Sequence, residues 1–215
     1  MTFKRPNAVQ VRVTLADIEP PIWRRLVVPW TFHLGQLHLV IQAAFGWWNC
    51  HLHEFRIGGL SYGDPEQIGT PEVEGDARSF DETEVRLLDF GRGEHVGFLY
   101  VYDFGDGWDH TVAFERLLTL DPPPRVATCL DGARARPPED VGGVGGYEGF
   151  LEILADPQHP EHQETKQWAG GHFDPEWFDR ALCDREVRTA LRANRHIRLY
   201  QPAPGRRRRV GPPLP

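Results

Sequence analysis

The sequence predicts an α+β fold: an antiparallel β-sheet with helices packed on one side, and a C-terminal part that is mainly helical. Three observations carry that prediction. Several segments alternate apolar and polar residues with the period of a half-buried strand. One segment, Phe32 to Phe45, repeats its apolar residues at three and four, the period of an amphipathic helix. The order is strands, helix, strands and then helices, without the β-α-β rhythm of a parallel sheet.

Val9 to Leu15 (VQVRVTL) and Ile22 to Val28 (IWRRLVV) read as strands separated by an EPP turn, which suggests an antiparallel pair. In the helix, Leu34, Leu37, Val40, Ile41, Ala44 and Phe45 form the apolar stripe, Thr31 is the expected cap and Gly46 the expected stop. HLHEFRIGG, 51–59, reads as a strand ending in a glycine pair. Between Asp64 and Glu84 stand eight acidic residues against one basic, so 64–84 is expected to be an acidic, mobile loop. Glu84 to Phe90 fits a strand or a short helix. Gly97 to Asp103 and Thr111 to Leu117 are strands joined across DFGDGWDH, and the prolines at 122–124 are expected to end the sheet. Segment 129–146 reads as a Gly- and Pro-rich loop. Helices are expected at Tyr147 to Leu154, Glu161 to Trp168 and Pro175 to Ala193, the last capped by Asp174. Residues 1–201 are expected to form a single domain, and 202–215 a disordered Pro- and Arg-rich tail.

Formal net charge is −7, and without Arg206 to Arg209 the balance is 20 basic against 31 acidic residues. A body that acidic argues against a broad nucleic-acid face and leaves the tail as the basic run. The three cysteines, 50, 129 and 183, lie far apart with no CxxC pair, which suits a reducing cytoplasm. No apolar run has the length of a signal peptide or a transmembrane helix, so a cytoplasmic protein without membrane attachment is expected.

The chemistry-bearing residues fall into two clusters. The first joins His51 and His53 to Asp103, Asp109 and His110. Two imidazoles two apart on a strand leave the same face and are close enough to share a divalent metal, and the acids of DFGDGWDH offer oxygens. The spacing fits neither an EF-hand nor HExxH, and the glycines equally fit a tight turn in which Asp103 or Asp106 accepts backbone N–H groups. The turn is the simpler reading. The second cluster is Cys129, Asp131, Glu139 and Asp140: a carboxylate pair able to act as acid and base, or to cap a helix beginning near Tyr147.

Six stretches in order, PPIWRRLVVP, LHLVIQAAFGW, HLHEFRIGG, YVYDFGDGWDH, CLDGARARPPEDVGG and WAGGHFDPEWFD, together resemble the plasmid pRiA4b open-reading-frame-three-like family, whose members are also labelled insertion-element passenger, TnpR-like proteins. The resemblance runs from about Val9 to Arg192 and leaves the arginine tail outside. It implies an α+β fold and a mobile-element setting, and carries over no catalytic residue. A serine recombinase needs an N-terminal serine, but the serines are Ser61 and Ser79. HEFR, 53–56, matches the tyrosine-recombinase HxxR formally, yet on a strand His53 and Arg56 face opposite sides. Both recombinase activities are rejected. The expected role is a binding or accessory module for a protein or nucleic-acid partner; the alternative is a metal-dependent hydrolase or nuclease built on the first cluster.

Overall fold

The computed structural model describes residues 5–64, 79–90, 97–192 and 201. Most of the expected acidic loop (65–78) and the whole 202–215 tail, Arg206 to Arg209 included, lie outside the described residues.

Period-two alternation produces the sheet. Strands β1 (Ala8–Leu15) and β2 (Trp23–Pro29) pair antiparallel, with Val11 opposite Leu26. Helix α1 (Leu34–Phe45) follows, then β3 (His53–Ile57), β4 (Leu60–Gly63), β5 (Ser79–Asp81), a 3-10 turn (Leu87–Asp89), β6 (Gly97–Tyr102), β7 (Trp108–Leu118) and β8 (Thr128–Ala133). The strands form one eight-stranded sheet in the order β5-β4-β3-β6-β7-β1-β2-β8. Every pairing is antiparallel except β4 with β5. Among the described residues three further helices follow: α2 (Gly143–Ala155), α3 (His162–Trp168) and α4 (Arg180–Arg188). The chain is α+β, as its pattern predicts. No helix among the described residues is long and apolar enough to cross a membrane.

The two faces of the sheet differ. Val9, Val11, Val13, Tyr100, Tyr102, Trp108, Val112 and Phe55 point inward and are buried. The other face carries ions: Arg25 holds Glu115 through Nε at 2.8 Å, and Gln10 donates to the same carboxylate. Helix α1 is buried on almost all sides. Its polar residues His38 and Gln42, one turn apart, are therefore paired inside. The Tyr100 hydroxyl receives the Gln42 amide and meets His38 Nδ1, both at 2.8 Å.

Several expectations change. The α1 cap is His33, not Thr31: its ring accepts the Gln36 N–H while the Gln36 side chain accepts the His33 N–H. Gly46 does stop the helix, at φ 81. The acidic stretch is not loop throughout, because 79–81 pairs with β4 and Glu82 is buried. The prolines at 122–124 do not end the sheet. Cys129 and Asp131 lie on β8, which pairs with β2. Helix α2 starts at Gly143 without a side-chain cap, so Glu139 and Asp140 do not cap it. The last helix is shorter than expected and is capped by Asp179, which accepts the Leu182 N–H at 2.9 Å, rather than by Asp174; residue 193 lies outside the described residues.

Candidate functional site

DFGDGWDH is a tight turn whose first acid does two jobs. Asp103 sits at φ 59, a left-handed conformation that Asp tolerates better than most residues. Its Oδ1 accepts the N–H groups of Gly105 (3.0 Å) and Asp106 (3.3 Å), which closes the turn. Its Oδ2 faces away from the turn and lies 3.5 Å from His51 Nε2. Trp108 then re-enters the core fully buried, beside Trp47.

A second loop is clamped onto this turn. Asp106 Oδ2 accepts the Gly142 N–H at 3.1 Å, and Gly143 packs so closely that a Cβ there would stand 2.5 Å from the Asp106 carbonyl oxygen. Both glycines have positive φ, so the loop needs them for conformation as well as for approach. The clamp carries Glu139 and Asp140 to His51. His51 Nε2 lies 3.3 Å from Asp140 Oδ1 and 3.8 Å from Glu139 Oε2. Glu139 is 4% exposed; its Oε1 accepts the Trp48 N–H at 2.6 Å, while its Oε2 has no hydrogen-bond partner. His51 Nε2 has none either. Burial pushes the Glu139 carboxyl above its usual range, which Arg136 nearby partly counters. Two overlapping triads meet at His51: one with Asp103 and Asp140, the other with Cys50 and Glu139, and in each the donor atoms lie within 4.8 Å of one another.

The expected first cluster is therefore divided. His51 precedes β3, so it is not strand-paired with His53 as the HLH spacing suggested. His53 stacks on His38 with ring centroids 3.5 Å apart and donates from Nε2 to Glu82 at 2.9 Å. Both histidines open on one cleft of about 740 Å³, but they reach different carboxylates. His110 is fully buried: Trp47 Nε1–H donates to its Nε2 at 3.2 Å, so Nδ1 carries the proton toward the Trp108 carbonyl at 3.0 Å. Burial drops its pKa to about 4, and the neutral ring is a core fixture. Asp109 alternates with the inward Trp108 and His110 and faces away from them. Of the second cluster, Glu139 and Asp140 join His51 while the β8 pair stays apart. Cys129 is buried near Cys183 and Asp184, and Asp131 is exposed 3.9 Å from Arg25. Glu82 and Tyr100 escaped the sequence reading. Glu82 sits in an acidic run that reads as solvated, and Tyr100 in a strand that reads as core.

On the other side of Glu139 and Asp140 lies a groove of about 500 Å³, walled by Trp48, Trp168, Phe173, Trp177 and Phe178 over Arg24. The Arg24 guanidinium is buried between the rings of Phe45 and Phe178 and spends its N–H groups on the carbonyls of Trp23, Ala44, Ala133 and Arg134. Burial lowers its pKa to about 10, so it remains a cation. The signal for this groove was in WAGGHFDPEWFD, which sets four aromatic residues at the end of α3 and in the turn and irregular chain between α3 and α4.

The chain matches the family described as plasmid pRiA4b ORF-3-like protein over residues 7–182. It is 43% identical over 169 residues to the uncharacterised protein y4hQ of Sinorhizobium fredii, covering 76% of this chain and 81% of that one. Among solved structures it resembles a protein of unknown function, MM3350, from Methanosarcina mazei Go1. The TM-score is 0.71 at 37% identity, over 81% of this chain and 96% of that one. The chain belongs to the pRiA4b ORF-3-like family.

Proposed function

We propose that this member of the pRiA4b ORF-3-like family is a cytoplasmic binding module of mobile-element biology that receives an apolar segment of a protein partner in its aromatic groove. One observation carries the reading. Trp48 and Trp168 remain 54% and 52% exposed along a groove whose other walls are also aromatic. Large aromatic side chains left half in water beside a pocket are the residue type that anchors protein partners. Nucleic acid fits the groove poorly. Arg24 and Arg136, its arginines, direct their guanidinium groups at backbone carbonyls, which leaves little cationic donor capacity for a phosphate. With 20 basic against 31 acidic residues outside the arginine run, the body favours a segment whose apolar anchor is flanked by basic residues.

The competing reading, a metal-dependent hydrolase or nuclease, is favoured by the His51–carboxylate cluster. Of the five residues it was to use, however, His53 and His110 are bonded elsewhere and Asp109 faces away.

The test is a selection of displayed random peptides on the untagged protein, followed by fluorescence polarisation with the selected sequences and with single- and double-stranded oligonucleotides. Peptides with an aromatic or aliphatic anchor should bind. Trp48→Ala and Trp168→Ala should each weaken them at least about tenfold, because truncating an aromatic anchor commonly costs about 2 kcal/mol. Peptides indifferent to both substitutions, or oligonucleotide binding at physiological salt in their place, would overturn the reading.

A further inference from the structure

We propose that His51, Asp103 and Asp140, with Glu139 beside them, form a binding site for one divalent cation. The site rests on its own observations and does not depend on the groove.

An ion bound at about 2.1 Å holds its ligand atoms about 3.0 Å apart at right angles and about 3.4 Å apart at the tetrahedral angle. The carboxylate oxygens of Asp140, Asp103 and Glu139 stand 3.3, 3.5 and 3.8 Å from His51 Nε2. The Asp140 and Asp103 separations are close to those of ligands around a shared ion, and these two oxygens and the nitrogen lie within 4.8 Å of one another; Glu139 stands farther out, on the flank of the set. All three separations are longer than a charge-assisted N–H···O bond, which is about 2.7–2.9 Å.

A buried carboxylate oxygen beside His51 is left without a hydrogen bond. Glu139 Oε2 accepts no hydrogen bond although its side chain is 1% exposed, and it is aimed at His51 Nε2, which also lacks a hydrogen-bond partner. Buried polar atoms are otherwise nearly always satisfied. A protonated imidazole supplies one Nε2–H, which can satisfy one of three carboxylates. A divalent cation on the neutral ring satisfies the nitrogen and the carboxylates together.

The supporting bonds are those of a held ligand set. The far oxygen of Asp103 is fixed by the N–H groups of Gly105 and Asp106, and the far oxygen of Glu139 by the N–H of Trp48. Second bonds of this kind orient ligands before the metal arrives. The Asp106–Gly142 clamp fixes the distance between the two loops. One imidazole with several carboxylates selects a borderline or moderately hard ion, Mn²⁺ or Zn²⁺, over Ca²⁺. Cys50 stands on the Glu139 side, with its sulfur 3.8 Å from the Tyr102 hydroxyl, and is outside the proposed set.

The experiment is titration of metal-stripped, untagged protein with Mn²⁺, followed by electron paramagnetic resonance, and with Zn²⁺, followed by calorimetry. Circular dichroism confirms the fold of every variant. Saturable binding of one ion per chain is expected. His51→Ala and Asp140→Asn should each weaken it at least about tenfold. Glu139→Gln, which keeps the acceptor for Trp48 N–H, should weaken it as well. His53→Gln, Asp109→Asn and Cys50→Ser should leave it unchanged. No saturable binding of either ion would overturn the site, as would binding that survives both His51→Ala and Asp140→Asn. Loss of binding in Cys50→Ser with retention in Asp140→Asn would overturn the oxygen-rich ligand set.

Discussion

His51 and His53 stand two residues apart and live in opposite surroundings. His53 is at the start of β3, over the core, where its ring is stacked on His38 and its Nε2–H is spent on Glu82. His51 is one step outside the sheet, where three carboxylates approach its Nε2 and none comes within 3.3 Å. The difference teaches how to separate structure from function here. Beneath the sheet the polar groups of His38, Gln42, Tyr100 and His110 are closed into pairs. At the junction of the two loops, donor and acceptor capacity is left open. The closed region should answer mutation in stability, and the open region in binding.

The largest expected effect tests that division directly. His53→Ala removes a buried ring and leaves the Glu82 carboxylate buried without its donor, which should cost about 3–5 kcal/mol. His51→Ala should cost less than about 1 kcal/mol in metal-free buffer, since His51 is partly exposed and its Nε2 makes no hydrogen bond. Urea melts of the two variants against wild type decide. Equal losses would erase the distinction between closed and open regions.

Acid should also act through the closed region. The folded pKa of His110 is about 4, below its ordinary 6.5, because the ring is buried. Between those values the unfolded chain binds a proton that the folded chain refuses. Stability therefore falls as pH drops through that window, by an amount on the order of 3 kcal/mol. His38, pushed down by burial and by His53 beside it, acts in the same direction. Glu139, pushed up by burial, opposes them, because the folded chain protonates it more readily than the unfolded one. Urea midpoints measured from pH 7 to pH 4.5 should decline. A flat profile would mean the imidazoles are not held neutral.

The fold was legible where local pattern and tertiary environment agree. Strands β1, β2, β6 and β7 alternate cleanly because one face is apolar and the other carries charge. Helix α1 shows its period because its stripe meets the sheet. Strand β8 escaped because CLDGA places Asp and Gly on an edge strand, where pairing with β2 supplies the order that propensity does not. Strands β4 and β5 are too short for alternation to declare itself. At the site, His51, Asp103, Glu139 and Asp140 were all visible as reactive types, but in two separate clusters. What unites them is the hydrogen bond from Gly142 to Asp106, across 36 residues, and no local pattern encodes a contact of that separation.

The smallest expected effect is the most discriminating, because Asp103 belongs to both regions at once. Its Oδ1 closes the turn and its Oδ2 faces His51. Asp103→Ala should cost about 2 kcal/mol. It strands the N–H groups of Gly105 and Asp106 and places alanine at φ 59, where a side chain without a local acceptor is strained. Asp103→Asn keeps an oxygen for both N–H groups. It gives up charge assistance at the turn and relieves repulsion against Asp140 and Glu139, two terms of similar size and opposite sign. In metal-free buffer it should therefore stay within about 1 kcal/mol of wild type. Adding Mn²⁺ should then separate them, since an ion that binds only the folded chain stabilises it in proportion to the logarithm of its concentration. Wild type should gain midpoint with Mn²⁺, and Asp103→Asn should gain much less. A metal-free loss in Asp103→Asn as large as in Asp103→Ala would show that the charge of Oδ1 holds the turn. An equal Mn²⁺ gain in Asp103→Asn and wild type would remove Asp103 from the cation site while leaving the turn intact.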